Sequence, residues 1–160
     1  MADEREEIKE LKAKYCRYID TKLWSKLPDL FVETTRFEGF GSAPTGASVA
    51  DFVRGVSGRL QDAISVHHCH TPEIVFLSRD HARAVWAMED YVEWPLGTEI
   101  REVPGHSGFK GYGHYEEEYR KLDGAWRISF MRLTRLRIDP LQAGRPTPAF
   151  GALSASLDWV

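Results

Sequence analysis

Cysteine is scarce in this chain of 160 residues: there are two, Cys16 and Cys69, far apart and in no CxxC pair. That usage points to a reducing, cytoplasmic compartment, with both thiols read as small buried hydrophobes. Long apolar runs are missing as well. No stretch of about 18 apolar residues occurs, so a membrane-spanning helix is excluded. The polar start, Met1-Ala2-Asp3-Glu4-Arg5-Glu6-Glu7, is not read as a signal peptide. Positive charge is not in excess: 21 Lys+Arg against 24 Asp+Glu leaves a net charge of −3, with no general pull toward nucleic acid. There is no GxSxG elbow, no Walker sequence and no HExxH pair. The glycines of Gly108-Phe109-Lys110-Gly111-Tyr112-Gly113 do not lie between a strand and a helix, so they are not a phosphate cradle. No internal repeat or low-complexity tract appears.

Aromatic residues are plentiful: 5 Trp, 6 Tyr and 8 Phe exclude a long disordered chain. The length suits one domain, able to bury roughly 70% of its unfolded surface. Asp3 and Glu6 resemble a capping box, and Ile8, Leu11, Tyr15 and Ile19 follow at helical spacing to a first helix ending near Asp20-Thr21. Ser25 caps a predicted second short helix with Leu27, Leu30 and Phe31 on its apolar face. A short strand is expected at Arg36–Phe40 and a loop at Gly41–Gly46. Ser48 caps a third helix with Val49, Phe52, Val53, Val56 and Leu60 on one stripe.

After residue 62 the period changes to that of strands. Ile64–His70 and Ile74–Leu77 read as strand broken at Pro72, followed by strands at Ala82–Trp94, Gly113–Arg120 and Trp126–Ile138. Asp123-Gly124 is a hairpin turn, and Pro95–Gly111 an irregular excursion. Helices followed by strands predict an α+β fold: a curved, cone-shaped antiparallel sheet with three N-terminal helices packed over it. Residues 1–140 form the domain. Residues 141–160 form a tail that could close a pocket or touch a neighbouring subunit.

Four groups of residues could carry chemistry. In Val66-His67-His68-Cys69-His70 a strand puts His68 and His70 on one face and His67 on the other. HxH on a strand can hold a metal, with Asp90 or His114 as a third ligand, or can place one general base in a pocket; both readings stay open beside a structural one. Tyr15 lies on the apolar helical stripe, where it is either a core Tyr or a phenol donor facing a cavity. Asp20 could simply face solvent at the end of the helix, but a carboxylate is unfavourable at that end of the dipole, which asks for some other reason for its place. Trp86, Met88 and Asp90 share one strand face, and a carboxylate there, beside a His, would fix its tautomer. Arg135 is expected to point inward, with Arg132 and Arg137 outward.

The order of elements, Tyr15-x4-Asp20, Val66–Ile74, Ala84–Asp90, Gly111-Tyr112-Gly113-His114-Tyr115, Trp126-Arg127-Ile128 and Leu133-Thr134-Arg135 resemble SnoaL-like proteins of the nuclear transport factor 2-like (NTF2-like) superfamily. The resemblance covers about residues 5–140. It is strongest to the branch holding bile-acid 7α-dehydratase, with scytalone dehydratase more distant. It implies an α+β cone, catalysis without metal or organic cofactor, and a homo-oligomer, in several relatives a trimer. It implies site residues at Tyr15, Asp20, His68, Asp90 and Arg135. His68 is favoured over His67 and His70 because the family His lies six residues before a core apolar residue, here Ile74.

The function expected is that of a lyase on a small, hydroxylated, hydrophobic ring compound. His68, assisted by Asp90, takes a proton from carbon (a dehydratase) or from a hydroxyl (a carbon–carbon lyase releasing a small aldehyde). Tyr15, oriented by Asp20, donates to the developing oxyanion, and Arg135 neutralises charge. His70, Trp86, Met88, Tyr115 and Met131 complete the pocket. The alternatives are an isomerase on the same scaffold and a binding module without turnover. Fold by itself does not choose among them.

Overall fold

The structure, a computed structural model, describes residues 3–142, 156, 159 and 160. Helix α1 (Glu4–Asp20) starts where Asp3 accepts a 2.9 Å hydrogen bond from the Arg5 N–H, and acidic residues fill its first turn. It buries Ile8, Leu11, Lys12, Tyr15, Cys16 and Ile19. The expected second helix is a single 3-10 turn, Leu27–Leu30, and Ser25 does not cap it. The cause is the run Phe31-Val32-Glu33-Thr34-Thr35, rich in β-branched residues that favour extended backbone. Strand β1 (Phe31–Glu38) therefore begins at Phe31 rather than Arg36. Helix α2 (Val49–Leu60) is capped by Ser48, whose hydroxyl accepts from the Asp51 N–H. Among the described residues there are thus two α-helices, not the three expected.

Four long strands follow: β2 (Ile64–Ser78), β3 (His81–Glu93), β4 (Gly108–Leu122) and β5 (Ala125–Pro140). With β1 they form one curved sheet in the order β1-β5-β4-β3-β2. β1 runs parallel to β5, so the sheet is mixed rather than wholly antiparallel. Asp123 and Gly124 both have positive φ, 50° and 83°, as a tight hairpin with a primed turn requires.

Two irregularities matter for the site. Between His70 and Glu73, β2 spends three steps where β3 spends two, from Ala87 to Val85. The extra residue falls at Thr71-Pro72, where Thr71 has φ 35° and Pro72 has no N–H to give the ladder. In β5 an extra residue, the exposed Leu136, lies between Arg135 and Arg137.

The helices pack on one face of the sheet around an aromatic core. Phe37 and Phe52 stack at 3.9 Å, and Phe31 and Phe40 meet them edge-on. Burying each such ring contributes roughly 1.5–3 kcal/mol. Beneath them lies a charged pair: the Lys12 ammonium donates to Glu117, with side chains 1% and 0% exposed, and Tyr119 also donates to Glu117. Residues 94–107 fold back onto α2, held by hydrogen bonds from the Trp94 indole to the Arg59 carbonyl and from the Trp94 N–H to the Ser107 carbonyl. Leu141 is buried, its N–H bonded to the Gly108 carbonyl. Most of the expected closing tail, including Phe150, Leu153 and Leu157, lies outside the described residues.

Candidate functional site

The inner face of the sheet, α1, α2 and the 94–107 segment enclose a cavity of about 80 Å³. Tyr15 and Ile19 come from α1, His67 from β2, Asp90 from β3, Tyr115 from β4 and Arg135 from β5. Phe40, Trp94 and Phe109 supply apolar walls.

His67, not His68, faces this cavity. His67 pairs directly across the ladder with Asp90, whose face is turned to the core. Its Nδ1 lies 2.7 Å from Asp20 Oδ1, and its backbone N–H donates to Asp20 Oδ2 at 2.7 Å. The Asp20 carboxylate thus grips ring and backbone of one residue, which gives a reason for its place at the helix end. A carboxylate on Nδ1 selects the tautomer with its proton there, leaving Nε2 as the free basic nitrogen. Nε2 lies 4.0 Å from Asp90 Oδ2. Asp20 therefore orients His67 and not Tyr15.

His68 and His70 lie on the outer face of the sheet, 57% and 51% exposed, beside Glu89. Their expected places in the pocket are corrected by the bulge at Thr71-Pro72. Counting back by twos from the buried Ile74 reaches His68, but the extra residue inverts the parity, so the inward residues are Ser65, His67 and Cys69.

Arg135 points inward and binds Asp90 with two parallel hydrogen bonds of 2.6 and 2.7 Å. Burial would lower the Arg135 pKa, but the Asp90 carboxylate outweighs it and raises the value. Gly111 sits beneath this pair, and a Cβ there would collide with both the guanidinium and the carboxylate. Arg132 is on the outside, with Glu38 and Glu116.

Tyr15 is 2% exposed and meets Phe31 and Tyr115 edge-on. Burial pushes both phenols, Tyr15 and Tyr115, well above the usual tyrosine value, so each stays a proton donor. The Lys12 ammonium sits 4.2 Å from the Tyr15 ring centre and 3.4 Å from that of Tyr115. Of the other expected pocket residues, Met88 is buried, with Arg135 Nη1 3.9 Å from its sulfur, and Met131 is fully buried; neither lines the cavity. Trp86 turns away, donating from its indole to Tyr119, and lines a separate groove between α1 and β2.

Among the wall residues that sequence reasoning missed are the aromatic Phe40, Trp94 and Phe109 and a charged pair, Arg59 and Glu102, joined at 2.7 Å between α2 and the 94–107 segment. That reasoning also read Cys16 and Cys69 separately, whereas their sulfurs are 3.7 Å apart. A larger groove of about 360 Å³ crosses the outer sheet face; four of its charged residues are paired with one another, Arg83 with Glu118 and Arg132 with Glu116, and Glu117 is paired with Lys12.

The comparison with known sequences agrees with this architecture: the SnoaL-like domain is matched over residues 1–132. The chain belongs to the SnoaL-like family. This SnoaL-like chain has the NTF2-like α+β fold with a curved five-stranded sheet. A protein of Gibberella zeae named as a probable cyclase is 25% identical over 139 residues, covering 81% of this chain and 89% of the relative. A hexachlorocyclohexane dehydrochlorinase of Novosphingobium barchaimii superposes with a TM-score of 0.71 at 18% identity, covering 91% of this chain and 94% of its own. A protein of Novosphingobium aromaticivorans assigned as a scytalone dehydratase gives 0.70 at 20% identity, covering 90% and 95%. At these identities the two structures speak for the fold. No helix among the described residues is long and apolar enough to cross a membrane.

Proposed function

We propose that this SnoaL-like chain is a cofactor-independent lyase that removes water from a small, hydroxylated, hydrophobic ring compound. The observation that carries this reading is the Asp20–His67 pair, with Nδ1 held at 2.7 Å and the ring facing a cavity that has both aromatic and charged walls. Nε2 takes a proton from carbon, the C–H electrons form a C=C bond, and the hydroxyl on the neighbouring carbon departs. Tyr15 or Tyr115 gives it a proton, so it leaves as water, and His67 returns its proton to the phenolate. Arg135, anchored by Asp90, stabilises negative charge that develops on a ring oxygen. Where His67 takes the proton instead from a hydroxyl, that C–O becomes a C=O, the neighbouring C–C bond breaks with its electrons going to the ring carbon, a phenol protonates that carbon and regains a proton from His67, and a small aldehyde is released.

The names of the relatives support the class: a dehydrochlorination and a dehydration both take a proton from carbon and expel a leaving group. A second reading is favoured by the name of the Gibberella zeae relative: ring closure or isomerisation, in which the proton moves but nothing is expelled. The cavity of about 80 Å³ is below the roughly 300–1,000 Å³ of ordinary ligand pockets. A ring substrate therefore enters as the 94–107 segment moves outward, breaking the Arg59–Glu102 bond. A homo-oligomer, a trimer by resemblance, in the cytoplasm belongs to the same proposal; light scattering on purified protein tests the assembly.

The test is mass spectrometry of chelator-treated protein incubated with hydroxysteroids and hydroxylated diaryl compounds. Loss of water supports the dehydratase, and loss of formaldehyde moves the assignment to carbon–carbon cleavage. An unchanged mass at a new retention time moves it to isomerisation. Tight binding without product replaces it with a binding module. His67→Ala should lose at least about a hundredfold in rate, while near-wild-type turnover in that variant removes His67 as the base.

A further inference from the structure

The bulge that turns His67 inward turns His68 and His70 outward, and these two meet Glu89 on the open face of the sheet. His68 Nδ1 lies 3.4 Å from Glu89 Oε1, and His70 Nε2 lies 3.8 Å from the same oxygen. The three ligand atoms all lie within 4.8 Å of one another. In a tetrahedral zinc site with bonds of about 2.0–2.1 Å, neighbouring ligand atoms stand about 3.3–3.4 Å apart. Two of the three edges are therefore near that length as they stand, and the third closes by rotation of exposed imidazoles whose centres are 6.1 Å apart.

We infer that His68, His70 and Glu89 form a binding site for a divalent transition ion of the zinc type, distinct from the cavity. Two imidazoles and one carboxylate suit Zn²⁺, and on the general affinity order also Cu²⁺ and Ni²⁺. The set holds three protein ligands, so the fourth position is open to water. The backbone supports the arrangement. His68 pairs directly with Glu89 across the β2–β3 ladder, and His70 follows two residues on, over the small Ala87. β2 is an edge strand of the sheet. The ion ties that edge to β3 next to the Thr71-Pro72 bulge, and so secures the register on which the inward orientation of His67 depends. The inference does not rest on the proposed reaction, because the ligands point away from the cavity and no step of that reaction uses them. Sequence considerations offered Asp90 or His114 as a third ligand; the register supplies Glu89 instead.

The experiment is isothermal titration of tag-free, chelator-stripped protein with Zn²⁺ at neutral pH, with thermal unfolding followed in parallel. One ion per chain is expected, with a melting temperature that rises as Zn²⁺ is added. His68→Ala, His70→Ala and Glu89→Gln should each weaken binding at least about tenfold, the lower end of what loss of even an outer-shell partner costs. All three residues are exposed, so these variants keep the wild-type circular dichroism and metal-free melting temperature. Cys69→Ser should bind as tightly as wild type, which separates this site from the thiols. The inference is overturned by absence of saturable binding, by a stoichiometry other than one, by unchanged affinity in Glu89→Gln or the double His variant, or by loss of binding in Cys69→Ser.

Discussion

Lys12→Met tests the buried pair under the two cavity tyrosines. The Lys12 and Glu117 side chains are 1% and 0% exposed, so neither charge reaches water. Methionine keeps the length of the side chain and an apolar body, and leaves the Glu117 carboxylate without its cation. Breaking a buried pair from one side costs about 3–5 kcal/mol. For a domain of this size each kcal/mol moves the melting temperature by about 2–4 °C, so a fall of about 6–20 °C is expected. Adding Glu117→Gln removes the stranded charge but keeps an acceptor for Tyr119. The double variant should therefore be more stable than Lys12→Met.

The same pair sets a pH window. Burial lowers the Lys12 pKa, but the Glu117 carboxylate outweighs it, and the folded value is raised above 10.5. A raised folded pKa stabilises the fold fully below the unfolded value and loses that contribution as pH rises through the folded one. The gap between wild type and the double variant, which has no stranded carboxylate to titrate, should stay constant through the neutral range and shrink only above about pH 10.5. Chemical unfolding followed by circular dichroism reads all of this. A single variant within about 1 kcal/mol of wild type, or a double variant less stable than the single, would refute the reasoning.

Asp20→Asn keeps the shape of the carboxylate but offers one acceptor where His67 needs two. Its amide would face the ring nitrogen or the backbone N–H, so turnover of a substrate found as above should fall about 10²–10⁴-fold, with the melting temperature lowered by several degrees for the lost hydrogen bond; equal rates would show that His67 needs no orienting partner. Gly111→Ala puts a methyl group into the Asp90–Arg135 pair and should cost about 1–3 kcal/mol, read by thermal unfolding; an unshifted melting temperature would mean that the pair gives way freely. Arg59→Ala should quicken amide exchange across Ile100–Val103 at neutral pH while the central strands stay protected. In the wild type, burial raises the Glu102 pKa but the Arg59 guanidinium outweighs it and holds the group below 4.5, so the segment should loosen only as pH falls through that lowered value.

The order of elements could be read locally because its signals span few residues. Asp3 and Ser48 cap the two helices, Asp123-Gly124 turns the last hairpin, and alternation along β3 puts Trp86, Met88 and Asp90 inward. The buried pair was legible too, though unread. Lys12 stands on the stripe of Ile8, Tyr15 and Ile19, and Glu117 alternates with the inward Tyr115 and Tyr119. The second helix failed because a run of extended-favouring residues took Phe31 into a strand paired with the far end of the chain.

What only the tertiary structure decided is which histidine serves the cavity. Pro72 announced a break in the strand, but a break can end a strand or add one residue to it. With an added residue every side chain beyond it changes face, and only pairing with β3 shows which case holds. The partners that define the site were likewise beyond local reading: Asp20 with His67, Asp90 with Arg135 and Arg59 with Glu102 lie 47, 45 and 43 residues apart. Residue type and periodicity determine which side chains can enter the interior. Strand register determines which of them meet, because each step along a strand reverses the face and no local interaction counts the steps.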